Sequence, residues 1–361
     1  MAELSITRLA PDDASRLRQW LAVMREGYTA GRTGAWWASE PAMLTQFARP
    51  RHDKTDIALL AHLGGEPIGG AEINLLTDSP AIVELAVLPA HRRSGHGTAL
   101  AAAVEAILRD SPATLVQTET YTPEGIAFAE SRGLHIGNEE QRMLLDLPAY
   151  LEADANRYKQ RQRPKPTVGP ADPTEVHPRP DWTIVSWIGM CPEELVESWA
   201  RLRRQMDEDV PLGDLTRSDH HADVAAIRTY EERMAEQGWI LVSSMAQVDE
   251  PGTESGADDV DPETLAVGYT EIMVSAHDPD IIIQEDTLVD RFHRGLGIGR
   301  ALKVANMRQL HDVPEAAGAR WIQTYTSTDN AAMLALNEDL GFRVVDTMTA
   351  LEGPVLDYTD Q

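Results

Sequence analysis

Glu285-Asp-Thr-Leu-Val-Asp-Arg-Phe-His-Arg-Gly-Leu-Gly-Ile-Gly-Arg-Ala-Leu-Lys303 joins a strand end, a glycine turn and a helix start. Upstream, Ile281 to Val289 is an apolar run with acidic interruptions, which reads as a strand. Arg294-Gly-Leu-Gly-Ile-Gly299 is too rich in glycine for either regular element. From Gly299 the pattern turns helical, with Ala301, Leu302, Val304, Ala305 and Leu310 on one apolar face. A strand, a glycine turn and a helix N-terminus together make an anion site. Residues without side chains let backbone N–H groups approach a phosphate, and the helix dipole adds positive potential.

The stretch has a twin. Arg92 and Arg294 stand 202 positions apart, as do Val87 and Val289, His91 and His293, Gly95 and Gly297, and Gly97 and Gly299. Glu84 falls opposite Asp286 at the same spacing. Gln117 and Gln323 are 206 apart and Gly133 and Gly341 are 208 apart, so small loop insertions account for the drift. The order of elements repeats as well. Each copy reads as a strand, two helices, a hairpin, then strand, helix, strand, helix, strand. This is duplication of a domain-sized unit of about 150–170 residues.

Composition sets the wider bounds. A chain of 361 residues, 42% hydrophobic and 25% charged, is long enough for two cores. The division expected is 1–150, a proline-rich linker over 151–180, and 181–361. The net charge of −26 opposes nucleic acid as a partner and leaves room for a cationic substrate. The single cysteine, Cys191, has no partner for a disulfide or a metal and reads as a small residue near a helix start. The Met1 to Ser5 start lacks a signal-peptide pattern and no apolar run is long enough for a membrane span, so a cytoplasmic monomer or homodimer is expected. Asp249 to Asp261 reads as a surface insert. Asp219-His-His221 with Asp223 reads as a solvated helix cap, since adjacent histidines point apart and no metal is expected.

Nucleotide fingerprints do not fit the turn. G-x-G-x-x-G would need glycine at Arg300 or Leu302, and no Lys-Ser or Lys-Thr pair follows the glycines. What fits both copies is Arg-x-x-Gly-x-Gly, at Arg92 to Gly97 and Arg294 to Gly299, each after a strand and before an amphipathic helix. This resembles the acetyl-CoA site of the GNAT superfamily of N-acetyltransferases. Asn330-x-x-Met333 through Leu340-Gly-Phe342 is similar to that family's second coenzyme-contacting helix. The pairing of two such units resembles tandem actinobacterial members.

The resemblance implies an α+β fold: in each half, a mixed and mostly antiparallel sheet flanked by helices, with a splayed central cleft. It implies a small-molecule amine as acceptor and acetyl-CoA as cosubstrate. In the C-terminal copy the pyrophosphate would rest on the backbone from Arg294 and Gly295 through Leu296, Gly297, Ile298, Gly299 and Arg300, with Asn330 nearby. In the N-terminal copy the same role falls to Arg92, Arg93, Ser94, Gly95, His96, Gly97 and Thr98. The pantetheine arm would pair with Leu288 and Val289, or with Ala86 and Val87. The amine attacks the thioester directly, a backbone N–H near Val289 steadies the oxyanion, and a carboxylate takes the ammonium proton.

For that carboxylate the sequence offers Asp286, its neighbour Glu285 and the twin Glu84. Strand alternation turns one of the two neighbours toward the cleft. Where many family members place a general-acid tyrosine this chain has Asn337 and Ala129, leaving Tyr325 and Tyr121 as substitutes. The N-terminal Glu124 to Gly133 segment lacks the asparagine of Asn330, so turnover is expected in the C-terminal copy. The alternative is a coenzyme-A-binding sensor or structural protein that has lost catalysis. Trp36 and Trp37, with the Gly31 to Gly34 loop, lie where the family places acceptor loops, and equally read as a packed aromatic cluster.

Overall fold

The computed structural model describes residues 2–49, 51, 54–77, 80–161, 182–216, 222–249 and 264–355. Its N-terminal half runs β1 (Leu4–Arg8), α1 (Ala14–Thr29), α2 (Glu40–Ala48), β2 (Lys54–Leu63), β3 (Glu66–Leu76), β4 (Ala81–Val87), α3 (His96–Arg109), β5 (Leu115–Thr120), α4 (Pro123–Glu130) and β6 (His135–Asp146). Helix α5 (Leu147–Arg161) follows. The C-terminal half repeats the order with β7 (Trp182–Ile188), α6 (Val196–Asp209), α7 (Val224–Glu236), β8 (Trp239–Asp249), β9 (Thr264–Ser275), β10 (Ile281–Val289), α8 (Ile298–Gln309), β11 (Trp321–Ser327), α9 (Ala331–Leu340) and β12 (Arg343–Pro354).

Local chemistry explains these elements. Asp13 caps α1 by accepting from the Arg16 N–H, and Leu17, Trp20, Leu21 and Met24 form its buried stripe. Trp20 is fully enclosed, and its indole N–H donates to Ala71 O at 3.1 Å, so the largest side chain of the stripe is both packed and satisfied. Ser39 and Asn330 cap α2 and α9 in the same way, and Gly341, with φ of 106°, ends α9. In the N-terminal half α1 and α2 cover one face of the meander and α3 the other. Helices α6 and α8 repeat this arrangement in the C-terminal half.

Among the described residues all twelve strands form one sheet, ordered β1-β2-β3-β4-β5-β12-β6-β11-β10-β9-β8-β7. The last strands are exchanged. β12 pairs with β5 of the first half, β6 pairs with β11 of the second, and β6 and β12 pair with each other. The duplicated units of the chain therefore share a continuous sheet. Arg142 of β6 locks the crossing: it is fully buried, and its five N–H donors reach Asp346, Gln323 and the carbonyls of Thr33 and Gly34 at 2.7–2.9 Å. Arg32 adds an ion pair to Asp346 at 3.1 Å.

Several elements differ from the sequence reading. The stretch read as linker begins as a helix, because α5 continues to Arg161; residues 162–180 lie outside the described residues. So do 250–261 of the acidic insert and Asp219 to His221, while Asp223 caps α7 through the Ala226 N–H. Met206 to Asp209 form the last turn of α6. The polar first half of β6 is a strand because it pairs with β12, which the local pattern cannot reveal.

Candidate active site

In both halves two parallel neighbours separate as they run toward the glycine turn. β4 and β5 pair only at Ala81–Val116 and Ile82–Gln117; β10 and β11 pair only from Ile281–Trp321 to Ile283–Gln323. The turns that follow have matched backbones. Gly95 and Gly297, with φ of 83° and 80°, precede α3 and α8 as their N-caps in the left-handed region. Two residues earlier the same conformation recurs at Arg93 (φ 61°) and Gly295 (φ 81°). A Cβ added at Gly95, Gly295 or Gly297 would meet nothing within 4 Å, so open space lies above the backbone, as a phosphate cradle requires. The arginines of the motif turn back. Arg92 Nε donates to Val87 O and Arg294 Nε to Val289 O, each at 2.9 Å, which pins the strand end to its turn. Arg294 also pairs with Asp209 at 3.0 Å, and Arg300 with Asp339 at 2.8 Å. His293 contacts Asp290 at 3.2 Å, while Leu296 and Phe292 are exposed.

Beyond the turns the halves diverge. Between β9 and β10 the register shifts, so that Glu285 and Asp286 together oppose the single Glu271. Between β3 and β4 the register runs unbroken, with Glu84 facing Glu72. The C-terminal bulge suspends strand alternation, so the expectation that only one of the two acids faces the cleft is corrected: both line it. Two abutting cavities, of about 400 and 250 Å³, share Met206, Val210, Pro211, Thr287, Asn330 and Met333. The larger reaches Leu288, Val289, His293 and the glycine turn; the smaller holds Glu285, Asp286, Tyr325 and Lys303. In the N-terminal half the space between β4 and β5, about 140 Å³, does not include the turn residues. The second glycine of each motif is covered alike, by Phe128 3.7 Å from a Cβ at Gly97 and by Leu336 3.4 Å from one at Gly299.

The electrostatics of the C-terminal cleft centre on one cation and three acids. Glu271 is buried and accepts from Arg203 at 3.2 Å, from the Tyr230 hydroxyl at 3.1 Å and from Ser243 at 3.3 Å. Asp286 accepts from the Tyr269 hydroxyl at 3.1 Å and lies 3.6 Å from Arg203. Glu285 is open to water through the cleft mouth yet surrounded by protein elsewhere. That enclosure, with the charges of Asp286 and Glu271 added and Arg203 opposing, raises its pKa to about 7. Tyr325 donates to or accepts from Tyr121 at 3.0 Å, and Tyr121 is bonded to Tyr28 at 2.8 Å, so a hydroxyl chain crosses from one half to the other. Burial raises the Tyr325 pKa and keeps the phenol protonated. Asn337, at the usual tyrosine position, is buried and donates to Thr326 at 3.1 Å.

Several groups in this site are not singled out by the sequence. Arg203, Tyr230, Tyr269 and Glu271 form a network that reaches the cleft through Asp286, while Lys303 lines the cleft and Glu140 arrives on the exchanged strand β6. For Glu271 a signal exists: Gly69-x-x-Glu72-Ile73 and Gly268-x-x-Glu271-Ile272 repeat at a spacing of 199. The same glycines approach the next strand closely, where a Cβ would lie 2.8 Å from Ala86 O or 2.7 Å from Leu288 O. Glu84 is placed elsewhere, in a separate cavity with Trp36 and Trp37. The Cys191 thiol is buried and pushed up to about 12, as a structural thiol would be.

Comparison with known proteins gives this geometry a family. Residues 17–134 match the model of the Acetyltransferase (GNAT) family. A tandem GNAT protein from the clavulanic acid biosynthesis pathway superposes over 98% of this chain and 99% of its own, with a TM-score of 0.72 and 24% identity. Residues 17–134 carry the GNAT family's pattern, and the chain as a whole has the fold of a tandem GNAT protein. In sequence it is 27% identical to a mycothiol acetyltransferase of Nocardiopsis dassonvillei over 354 residues, 94% of each chain. It is 28% identical to another of that name from a Parafrankia species over 79% of each. Both of these relatives are named as acetyltransferases. The family model matches the N-terminal GNAT half; the C-terminal half has the matched strand order, splay and turn. No described helix is long and apolar enough to cross a membrane.

Proposed function

We propose that the C-terminal half of this tandem GNAT protein transfers an acetyl group from acetyl-CoA to the primary amine of a small molecule. In this reading the chain works as an N-terminal unit (1–150), a connecting segment (151–180) and a catalytic unit (181–361). One observation carries the proposal: the β10 bulge brings Glu285 and Asp286 into a cavity that abuts the cavity over the glycine turn. The backbone of Gly295 to Arg300 is suited to hold the pyrophosphate, and Leu288 and Val289 the pantetheine arm. The bound coenzyme supplies the thioester.

The chain's residues then manage protons. Glu285, with a pKa of about 7, is matched to taking the proton of an ammonium near neutral pH, leaving the amine able to attack. A C–N bond forms as the C–S bond breaks. Tyr325 is protonated and placed in the same cavity to supply a proton to the departing thiolate, and Tyr121 holds its hydroxyl. Asp286, Glu271 and Arg203 set the local charge, and the acids favour a cationic acceptor.

The test is release of free thiol from acetyl-CoA across a panel of amines, headed by amines of the mycothiol series because two full-length relatives carry that name. Glu285→Gln is expected to lower kcat/KM by roughly 10²–10⁴-fold. It also removes the rise in rate through about pH 7, since Glu285 must be ionised to act as base. A variant that keeps both the rate and that pH limb would refute the role. The sensor reading has its own support in Asn337, which is hydrogen-bonded into the core where the family's acid usually stands. Tight acetyl-CoA binding without thiol release from any amine would favour it.

A further inference from the structure

The C-terminal cleft holds one buried polar group for which acetyl transfer has no use. Lys303 lies on the inner face of α8 with Leu302, Asn306 and Met307, and is 1% exposed. Asn306, the other buried polar residue of that face, is satisfied, since it donates to Val242 O at 2.7 Å and accepts from the Ser244 hydroxyl at 3.0 Å. Among the described residues Lys303 has neither an ion pair nor a hydrogen bond, and its Nζ lies over the Phe342 ring at 5.6 Å. Buried charges are ordinarily paired, so an ammonium left alone in a cavity wall is unusual. The repeat shows where the position looks. Counting back 202 from Lys303 reaches Ala101, which lines the space between β4 and β5. In both halves this helix position faces the gap between the splayed strands, and only the C-terminal half places a cation there.

The path of a bound coenzyme orders what lies along β10. From the glycine turn it would pass Val289 and Leu288, which line the larger cavity, and bring its acyl group to Thr287, which both cavities share. Lys303 lines the smaller cavity only, together with Ile283 and Gln284, where β10 and β11 part after the Ile283–Gln323 pair. The cation therefore stands beyond the acyl carbonyl, on the far side from the turn. The acids gather elsewhere. Asp286 lies 3.6 Å from Arg203 of α6, the helix on the opposite face of the sheet from α8, and the charges acting on Glu285 are those of Asp286, Glu271 and Arg203.

We propose that the cleft accepts, beside acetyl, a short acyl group ending in a carboxylate, of the succinyl class, and that Lys303 binds that carboxylate. This acyl preference rests on the C-terminal cleft taking acyl-coenzyme A, as proposed above. A carboxylate supplies the acceptors and the opposite charge that the buried ammonium lacks, and it restores the charged form that burial alone disfavours. The methyl end of an acetyl group would leave the ammonium alone. Transfer proceeds as for acetyl: the C–N bond forms, the C–S bond breaks, Glu285 takes the amine's proton and the thiolate receives one from Tyr325. The carboxylate takes no part in these changes and holds the acyl chain in place.

Calorimetric titration of the full chain with succinyl-CoA, butyryl-CoA and acetyl-CoA reads the preference without an acceptor amine. Butyryl-CoA matches the succinyl chain in carbon count and lacks its charge. The wild type is expected to bind succinyl-CoA roughly tenfold or more tighter than butyryl-CoA, as a charge-assisted contact would give. Lys303→Met should abolish that preference or invert it, and if this variant does not fold, Lys303→Gln carries the same expectation. Thiol release with the amine panel should show the same order in kcat/KM. A wild type that binds acetyl-CoA yet prefers succinyl-CoA no more than butyryl-CoA overturns the role of Lys303 alone. So does a preference that survives in the Lys303 variants, or succinyl-CoA that binds tightly but releases no thiol where acetyl-CoA does. A chain that binds none of the three donors overturns the acetyl-transfer reading as well.

Discussion

Replacing Lys303 by methionine tests how strongly the C-terminal cleft is stabilised or strained by its own charges. Lys303 lies on α8 where it lines the cleft, is 1% exposed, and faces the ring of Phe342 at 5.6 Å. Burial alone lowers its pKa from 10.5 to about 7. At about 1.4 kcal/mol per unit, the gap between the two states corresponds to ~5 kcal/mol across the whole window. The sign follows from where the proton resides. Between pH 7 and 10.5 the unfolded chain keeps the proton and the folded chain has released it, so stability rises with pH through that window. Below about pH 7 the penalty is full and constant. Methionine keeps the aliphatic stem and removes the ionisable group. The Lys303→Met variant should therefore be more stable than the wild type by ~4 kcal/mol at pH 7, with the advantage falling to about half by pH 9. Urea denaturation at the two pH values, compared at a common slope, measures both quantities. The reasoning fails if the variant gains nothing at pH 7, or if its advantage is the same at both pH values.

Two further substitutions probe the turn and the crossing. Arg93 is the one non-glycine among the described residues with positive φ, at the position its twin fills with Gly295. Arg93→Gly should relieve about 1 kcal/mol of backbone strain, less some tenths for added freedom in the unfolded chain, and appears as a raised melting temperature. Arg142→Met removes the buried guanidinium at the strand exchange and strands the Thr33 and Gly34 carbonyls and the Gln323 side chain. It should cost about 3–5 kcal/mol in chemical denaturation, moderated because Arg32 still pairs with Asp346. A loss under 1 kcal/mol would show that the crossing does not rely on this residue.

Most of the elements were legible because their signals are local. Asp13, Ser39 and Asn330 cap helices whose apolar spacing already marks them, and the hairpin of β2 and β3 follows from Gly64-Gly65 between alternating strands. The glycine turn was legible for the same reason. Two left-handed positions, a helix start and a preceding strand are all written within nine residues, twice. The candidate acids were only partly legible. Glu285 and Asp286 could be named as candidates, but a spacing counted from the turn hides the extra residue that makes the bulge, because that residue lies upstream of the matched positions. Glu84 was paired with Asp286 by spacing alone; the unbroken register of β3 and β4 places it opposite Glu72 and in another cavity.

What the sequence determined by itself is the duplicated unit and its glycine turn, because periodicity, capping and glycine conformations act over a few neighbouring residues. Tertiary structure alone decided that β6 and β12 change places and that Glu140 enters the second half's cleft. It also decided that Tyr28, Tyr121 and Tyr325 join hydroxyls across the halves. These outcomes depend on which distant strands pair. The same pairing decides how deeply Glu285 and Lys303 are enclosed, and enclosure sets the pKa of each.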